Sequence, residues 1–152
     1  MTGMTTKTDT TGAVYVLFGN YDPTKAGPIF SASRIAVRNV TDGLSNTLAI
    51  GERYLPPVPN NTPPGMEDYS QGDTAFISGD QPRTVFAGTQ NGMADGPNDP
   101  NFTAPGEFGS AHSGIVEFLY LDGHVAPLET TVDKDLLMAL STIAGGETKR
   151  QN

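Results

Sequence analysis

The side chains best suited to chemistry lie in the last third of the chain, where a histidine and an aspartate are ten positions apart. Nine mostly apolar residues separate His112 from Asp122, and Gly123 follows the aspartate. A His–Asp pair can activate a nucleophile or bind a metal ion when the two side chains converge. The intervening residues are typical of a β-strand, however, and ten steps of about 3.3 Å place its ends about 30 Å apart. The spacing therefore predicts a structural hairpin, with Asp122-Gly123 as a two-residue type I′ turn.

A second candidate site is the segment 95–101, which has the densest group of oxygen-bearing side chains in the chain. The candidate metal ligands are Asp95, Asn98, Asp99 and Asn101. Ca²⁺ prefers six to eight oxygen ligands from a flexible loop, so it is the candidate cofactor for this segment. The spacing differs from that of an EF-hand, and runs of Asp, Asn, Gly and Pro also form ordinary turns. A calcium site and a plain turn are both open alternatives.

Two further acidic positions lie earlier in the chain, and a structural role is the favoured interpretation for each. Asp42 and Gly43, with Ser45 and Asn46, could form a turn that binds an anion or a metal ion. More often, side chains such as those of Asp42 and Ser45 accept hydrogen bonds from local backbone N–H groups. Glu52 follows an apolar run, and a half-buried carboxylate needs a partner. Glu52 or a backbone carbonyl is in turn the expected partner of His112. The expected partner of Glu52 is an arginine: Arg34, Arg38 or Arg53.

Composition excludes several classes of function. The net charge of −8 disfavours binding to nucleic acid and to anionic lipid, because both are negatively charged. Without cysteine, the chain has no disulfide, no zinc–thiolate site and no thiol nucleophile. No apolar run approaches the ~20 residues that span a bilayer, and no G-x-S-x-G, H-E-x-x-H or P-loop motif occurs. We therefore predict a protein that is not an enzyme, binds no nucleic acid and does not insert into a membrane.

The chain of 152 residues is long enough for one domain with a core. Its 36 % hydrophobic residues, with 18 Gly and 12 Pro, favour a loop-rich β or α+β fold over a helical bundle. We predict a polar N-terminal extension over 1–12, a single globular domain over 13–147 and a polar tail over 148–152. Two segments of the domain that are rich in Pro, Asn and Gly, 55–72 and 91–105, are predicted to be long surface loops.

Short β-branched and aromatic runs predict the strands of this domain. Leu48 and Ile50 are expected on one face of their strand. Pro127 has no N–H to donate, so its strand is predicted at a sheet edge. The predicted strands cover residues 13–18, 34–40, 46–54, 74–78, 83–87, 115–121 and 124–128. The residues expected to build the core are Val14, Val16, Ile50, Ile115, Phe118, Leu121, Leu137, Leu140 and Ile143.

One amphipathic helix is predicted near the C-terminus. Asp133 is a suitable N-cap, and Gly145-Gly146 is expected to end the helix. Between them, apolar residues recur at helical spacing: Leu136, Leu137, Leu140, Ile143 and Ala144. The predicted fold is therefore α+β, with a mainly antiparallel sheet of short strands, a C-terminal β-hairpin and this helix.

Three segments match, in order, the motifs of a known family. They are 40–52 (V-T-D-G-L-S-N-T-L-A-I-G-E), 108–112 (F-G-S-A-H) with Asp122-Gly123, and 137–147 (L-M-A-L-S-T-I-A-G-G-E). The chain resembles a bacterial family of prepilin-type, pseudopilin-like proteins of unknown function that carries an H-x9-DG motif and is also classified as solute-binding. Full-length members begin with a prepilin leader and a long hydrophobic helix, so the resemblance covers the C-terminal globular part.

The resemblance implies a pseudopilin-like head with a structural, non-enzymatic role in an extracellular or cell-envelope filament, array or secretion-type assembly. Further copies of the chain, as a homo-oligomer or filament, would be its partners. The alternative is a secreted module that binds a cation such as Ca²⁺, or a glycan, through the acidic loops. The first role predicts assembly, whereas the second predicts a monomer with a saturable ligand.

Overall fold

The computed structural model describes residues 4–8, 14–18, 27–29, 34–58, 60–64, 87–97, 99–102 and 106–146 of the chain, and it confirms an α+β fold. The predicted strand 74–78, most of 83–87 and the tail 148–152 lie outside these residues. The elements are β1 (Met4–Thr8), β2 (Val14–Phe18), β3 (Leu48–Gly51), β4 (Gly88–Ala94), β5 (Glu107–Gly109), β6 (Ile115–Tyr120), β7 (Val125–Glu129) and α1 (Lys134–Ser141).

The main sheet is antiparallel, in the order β3-β6-β7. Val116, Phe118 and Tyr120 alternate along the central strand β6 and are buried, because successive side chains of a strand point to opposite faces. Ile115 belongs to the other face and is 36 % exposed, so its predicted place in the core is wrong. Pro127 lies in β7, at the edge of this sheet, as predicted.

The turn between β6 and β7 has three residues, not the predicted two. Tyr120 N–H donates to the carbonyl of His124 (2.9 Å), and Gly123 N–H donates to the carbonyl of Tyr120 (3.0 Å). Gly123 has a φ of 96°, which a residue without Cβ adopts freely. A positive-φ glycine at the end of a three-residue loop is a common hairpin closure. The prediction of a two-residue type I′ turn is therefore wrong, although Asp122-Gly123 does lie in the turn.

Two predicted local conformations are also wrong. The pairing of β3 with β6 shifts register between Leu48 and Ile50, which indicates a bulge. Leu48 is buried while Ile50 is 58 % exposed, so the two do not share a face and Ile50 is not in the core. The predicted strand 34–40 contains a 3-10 turn, Val37–Asn39. Asn39 causes it by accepting from Ala36 N–H through its side chain (3.0 Å).

Strand β4 covers the start of the region predicted as the loop 91–105, and it pairs in parallel with β5, which follows that region. Met93 and Ala94 are buried there, which explains why a segment of polar composition forms a strand. An isolated antiparallel bridge between Arg53 and Phe108 connects β5 with the chain that continues from β3. Strand β1 lies inside the predicted polar extension 1–12 and pairs antiparallel with β2.

Helix α1 packs against β4 and β3 and begins at its predicted cap, since Asp133 accepts from Leu136 N–H (3.0 Å). It ends at Ser141, earlier than Gly145-Gly146, because Thr142 N–H and its hydroxyl turn back to the carbonyl of Ala139. The core between this helix and the strands contains Leu48, Met93, Val116, Phe118, Tyr120, Leu128, Leu137 and Leu140. Within the described residues, no helix is long and apolar enough to span a membrane.

Candidate functional site

The structure places His112 and Asp122 at opposite ends of β6. His112 is exposed, and its backbone N–H donates to the hydroxyl of Ser110 (3.0 Å). Among the described residues, no hydrogen bond joins the His112 ring to Glu52 or to a backbone carbonyl. The two motif residues therefore do not form one site.

Asp122 pairs instead with His124, which the sequence analysis did not connect to it. One carboxylate oxygen, Oδ1, accepts from His124 N–H (3.0 Å) and lies 2.6 Å from Nδ1 of the same residue. The backbone hydrogen bond, followed by the one to the ring, lowers the pKa of the Asp122 carboxyl. The His124 ring stacks on Tyr120, with 4.2 Å between ring centroids. These contacts fix the turn between β6 and β7.

Glu52 holds two strands together through both its backbone and its side chain. Its Oε2 accepts from Glu117 N–H on β6 (2.9 Å). Its own N–H donates to the carbonyl of Glu117 (3.1 Å), and its carbonyl accepts from Gly109 N–H on β5 (3.2 Å). The described hydrogen bond of this carboxylate thus goes to a backbone N–H, a partner that the sequence analysis did not anticipate.

Asp42 binds the backbone of a segment more than one hundred residues away. Its Oδ2 accepts from Gly145 N–H (2.8 Å) and its Oδ1 from Gly146 N–H (3.0 Å). The N–H groups of Thr41 and Asp42 donate in return to the carbonyl of Ile143 (2.8 and 3.4 Å). The expectation that Asp42 caps local N–H groups is therefore wrong. The turn around Asp42, Gly43 and Asn46 anchors the chain beyond α1, while Asn46 donates to the carbonyl of Asp42 (3.0 Å).

Three of the four predicted calcium ligands are described, and Asn98 lies outside the described residues. Asp99 Oδ2 accepts from Asp95 N–H (2.8 Å), and its Oδ1 accepts from the backbone and side-chain nitrogens of Asn101 (2.9 and 3.0 Å). Asp95 Oδ1 accepts from Gly114 N–H (2.8 Å). In the described part of the chain, no three His, Asp or Glu side chains are placed to hold a metal ion. The calcium site stays a prediction, and the described contacts are those that fix a loop.

These hydrogen bonds make a prediction for acid stability. Donation from the N–H groups of Asp95 and Asn101 lowers the pKa of Asp99 in the folded chain. An acid with a depressed folded pKa stabilises the fold above its unfolded pKa of about 3.9, and this contribution is lost as the pH falls through the folded pKa. We expect Asp99→Asn to lose less stability than the wild type between about pH 5 and pH 3. Urea midpoints measured across this pH range give the stability of both proteins. Equal losses of stability in the variant and the wild type would contradict the prediction.

A cleft of about 680 Å³ lies beside this loop. Strand β4 contributes Asn91 and Met93, and the loop contributes Asp95, Asp99 and Phe102. Further lining residues are Glu107 of β5, the segment Thr130–Val132 and Lys134 of α1. The volume falls in the range of small-molecule sites in proteins. The cleft combines apolar and acidic surface, and it is the candidate binding site of this chain.

Glu107 is the acidic group of this cleft that sequence reasoning missed. Its Oε1 accepts from the Asn91 side chain (2.9 Å), while its Oε2 is buried and has no hydrogen-bond partner among the described residues. Burial raises the pKa of this carboxyl, although the hydrogen bond from Asn91 acts in the opposite direction. Glu107 precedes the F-G-S-A-H segment directly, and no sequence signal marks it apart from this position.

Comparison with known protein families gives one match. Residues 2–135 match the model of a family described as a protein of unknown function, DUF1559, whose label SBP_bac_10 denotes bacterial solute-binding proteins. The match contains Asp42, Glu52, His112, Asp122 and Glu107, and it ends before the third motif segment, 137–147. Comparisons with curated proteins and with solved structures found no match. Because the family model covers most of the chain, this protein belongs to the DUF1559 family of proteins of unknown function.

Proposed function

We propose that this chain is a structural, non-enzymatic, pseudopilin-like subunit of an extracellular or cell-envelope assembly, with copies of itself as partners. One observation carries the proposal, an apolar row on the outer face of the main sheet. Ile50, Leu119 and Val125 form this outer apolar row, each directly opposite the next across the three strands. Ile50 is 58 % exposed and Val125 is 62 % exposed.

The outer apolar row favours contact with another protein surface. A single exposed apolar residue is common, but neighbouring ones on adjacent strands form a patch that water hydrates unfavourably. Ile115, which is 36 % exposed, lies on the same face of β6 as Leu119, with Glu117 between them on that face. The opposite face of this sheet carries the core. A row of exposed apolar side chains across a sheet is suited to packing between subunits.

The contacts of the family's motif residues support a structural rather than a catalytic role. Asp42, Glu52 and Asp122 each use carboxylate oxygens to accept from backbone N–H groups. A carboxylate engaged in this way stabilises the folded chain and has less capacity to act on a substrate. The conspicuous acidic positions of the sequence thus have roles within the fold.

The proposal predicts that charges in the outer apolar row will prevent assembly. We expect the wild-type chain to form larger species as its concentration rises, and Ile50→Lys and Val125→Lys to shift the distribution towards monomers, because a charge would be buried at the contact. Sedimentation velocity measures the species, and electron microscopy shows whether they are ordered. Val37→Lys is the matched control, since Val37 is 68 % exposed and lies in a 3-10 turn away from the row. A wild type that stays monomeric at every concentration, or equal dissociation by Val37→Lys, would contradict the proposal.

A further inference from the structure

The cleft beside the 95–102 loop contains a polar atom without a partner. Glu107 Oε2 is buried and accepts no hydrogen bond within the described part of the chain. A buried oxygen that accepts nothing has given up its hydration without compensation, which disfavours the folded state. Native proteins rarely leave such an atom unsatisfied, and binding sites are a known reason for doing so. Among the described residues, the carboxylate of Glu107, which lines the cleft, therefore has unused hydrogen-bonding capacity.

The surroundings of Glu107 limit which donors would fit. The acidic side chains that line the cleft are Glu107, Asp95 and Asp99, whereas Lys134 is the basic one among the described lining residues. The net charge of this lining is negative, so a cationic group is favoured over an anionic one. Met93, Phe102 and Val132 provide apolar surface in the same cleft. This combination suits a ligand with a charged amine at one end and a small apolar body at the other.

We propose that the cleft binds a small organic ammonium ion, whose N–H group donates to Glu107 and whose apolar part contacts Met93 and Phe102. Asn91 is a positioning residue here, because its side chain already donates to the other carboxylate oxygen and fixes the orientation of Glu107. Burial disfavours the charged form of Glu107 in the free chain, and a bound cation would compensate for that cost. This binding role goes beyond the assembly proposed above and does not depend on it, since the cleft does not include the outer apolar row.

Three probes with the same ring and different head groups test the proposal: benzylamine, benzyl alcohol and benzoate. We expect saturable binding of benzylamine to the wild-type chain by calorimetry. Benzyl alcohol and benzoate should bind about tenfold more weakly or not at all, because they lack a charged donor. Chemical-shift changes at the Met93 methyl group and the amides of Thr130 and Thr131 should place benzylamine in the cleft. Absence of saturable benzylamine binding, or equal binding of benzyl alcohol, would overturn the proposal.

A matched pair of variants separates Glu107 from the general negative charge of the chain. Glu107→Gln is expected to weaken benzylamine binding about tenfold or more, and thermal melting shows whether it folds. Glu117→Gln removes the same charge on β6, outside the cleft, and should bind benzylamine as the wild type does. Unchanged binding by Glu107→Gln, or the same loss in both variants, would overturn the assignment. Should Glu107→Gln not fold, the comparison of the three probes on the wild type decides.

Discussion

Asp42→Ala is expected to lower the free energy of unfolding by about 2–3 kcal/mol, a large effect for a residue that is only partly buried. The substitution removes the acceptor of both Gly145 N–H and Gly146 N–H, which lie 2.8 and 3.0 Å from the two carboxylate oxygens. Hydrogen bonds to a charged group contribute more to the free energy of unfolding than those between neutral groups. The partial exposure of Asp42 reduces the combined contribution of the two bonds. Urea denaturation of the variant and the wild type measures the difference.

Two further substitutions in the same turn make this result specific. Asp42→Asn keeps one acceptor oxygen without the charge. We therefore expect its free energy of unfolding to lie between those of the wild type and of Asp42→Ala. Ser45→Ala is the control, because Ser45 is exposed and was an equally plausible cap from sequence; it should change stability by less than about 0.5 kcal/mol. If Asp42→Ala were as stable as Ser45→Ala, the link between Asp42 and the segment after α1 would have no energetic importance.

Gly109→Ala is expected to destabilise the chain by about 3 kcal/mol, because the space around this glycine is filled. A Cβ at this position would lie 2.7 Å from Cβ of Tyr54 and 3.0 Å from Cβ of Ala94. Both neighbours are buried and are fixed by their backbones, so neither can move without shifting a strand. Thermal and urea unfolding measure the loss.

Gly88→Ala is the matched control for this substitution. Gly88 also belongs to the β4-β5 pair, but its nearest neighbour for an added Cβ is Glu107 Oε2 at 3.9 Å, an ordinary contact. We expect Gly88→Ala to be neutral or slightly stabilising, because alanine loses less conformational entropy on folding than glycine. Equal losses from the two substitutions would show that glycine flexibility, and not the packing of Gly109, is responsible.

The elements with strong local signals could be predicted from the sequence. The run of β-branched and aromatic residues predicts strand β6, and Phe118 is in the core as expected, whereas Ile115 and Leu121, also predicted there, are not buried. Asp133 is the N-cap of α1, and Leu137, Leu140 and Ile143 are buried as its apolar spacing predicts. In each case, neighbouring residues in the sequence determine the structure, so the pattern is sufficient.

The sequence-based predictions are wrong where contacts with distant residues, or irregular strand pairing, determine the local structure. A one-residue bulge before Ile50 reverses its face, and the pattern of alternation contains no sign of that bulge. Strand β4 forms because it pairs with β5 and buries Met93, although its composition is that of a loop.

The same limitation applies to the candidate site. Asp42 and Gly145 are 103 residues apart, so their hydrogen bond cannot be inferred from local spacing. Glu107 had no motif of its own, and its importance follows from a cleft formed by four separate segments.

The proline in β7 has a consequence for how copies of this chain could grow into a larger object. In an antiparallel ladder, hydrogen-bonded and non-hydrogen-bonded residue pairs alternate. Tyr120–His124 and Gly114–Thr130 are hydrogen-bonded pairs, so Pro127, opposite Glu117, belongs to a non-hydrogen-bonded pair. An amide there would point away from β6, towards a strand added from outside, and proline has no such amide. The sheet therefore resists continuation from one molecule into the next, as well as amyloid-like templating at this edge. Any ordered polymer of this chain should be built from side-chain faces and should not bind dyes specific for cross-β fibrils.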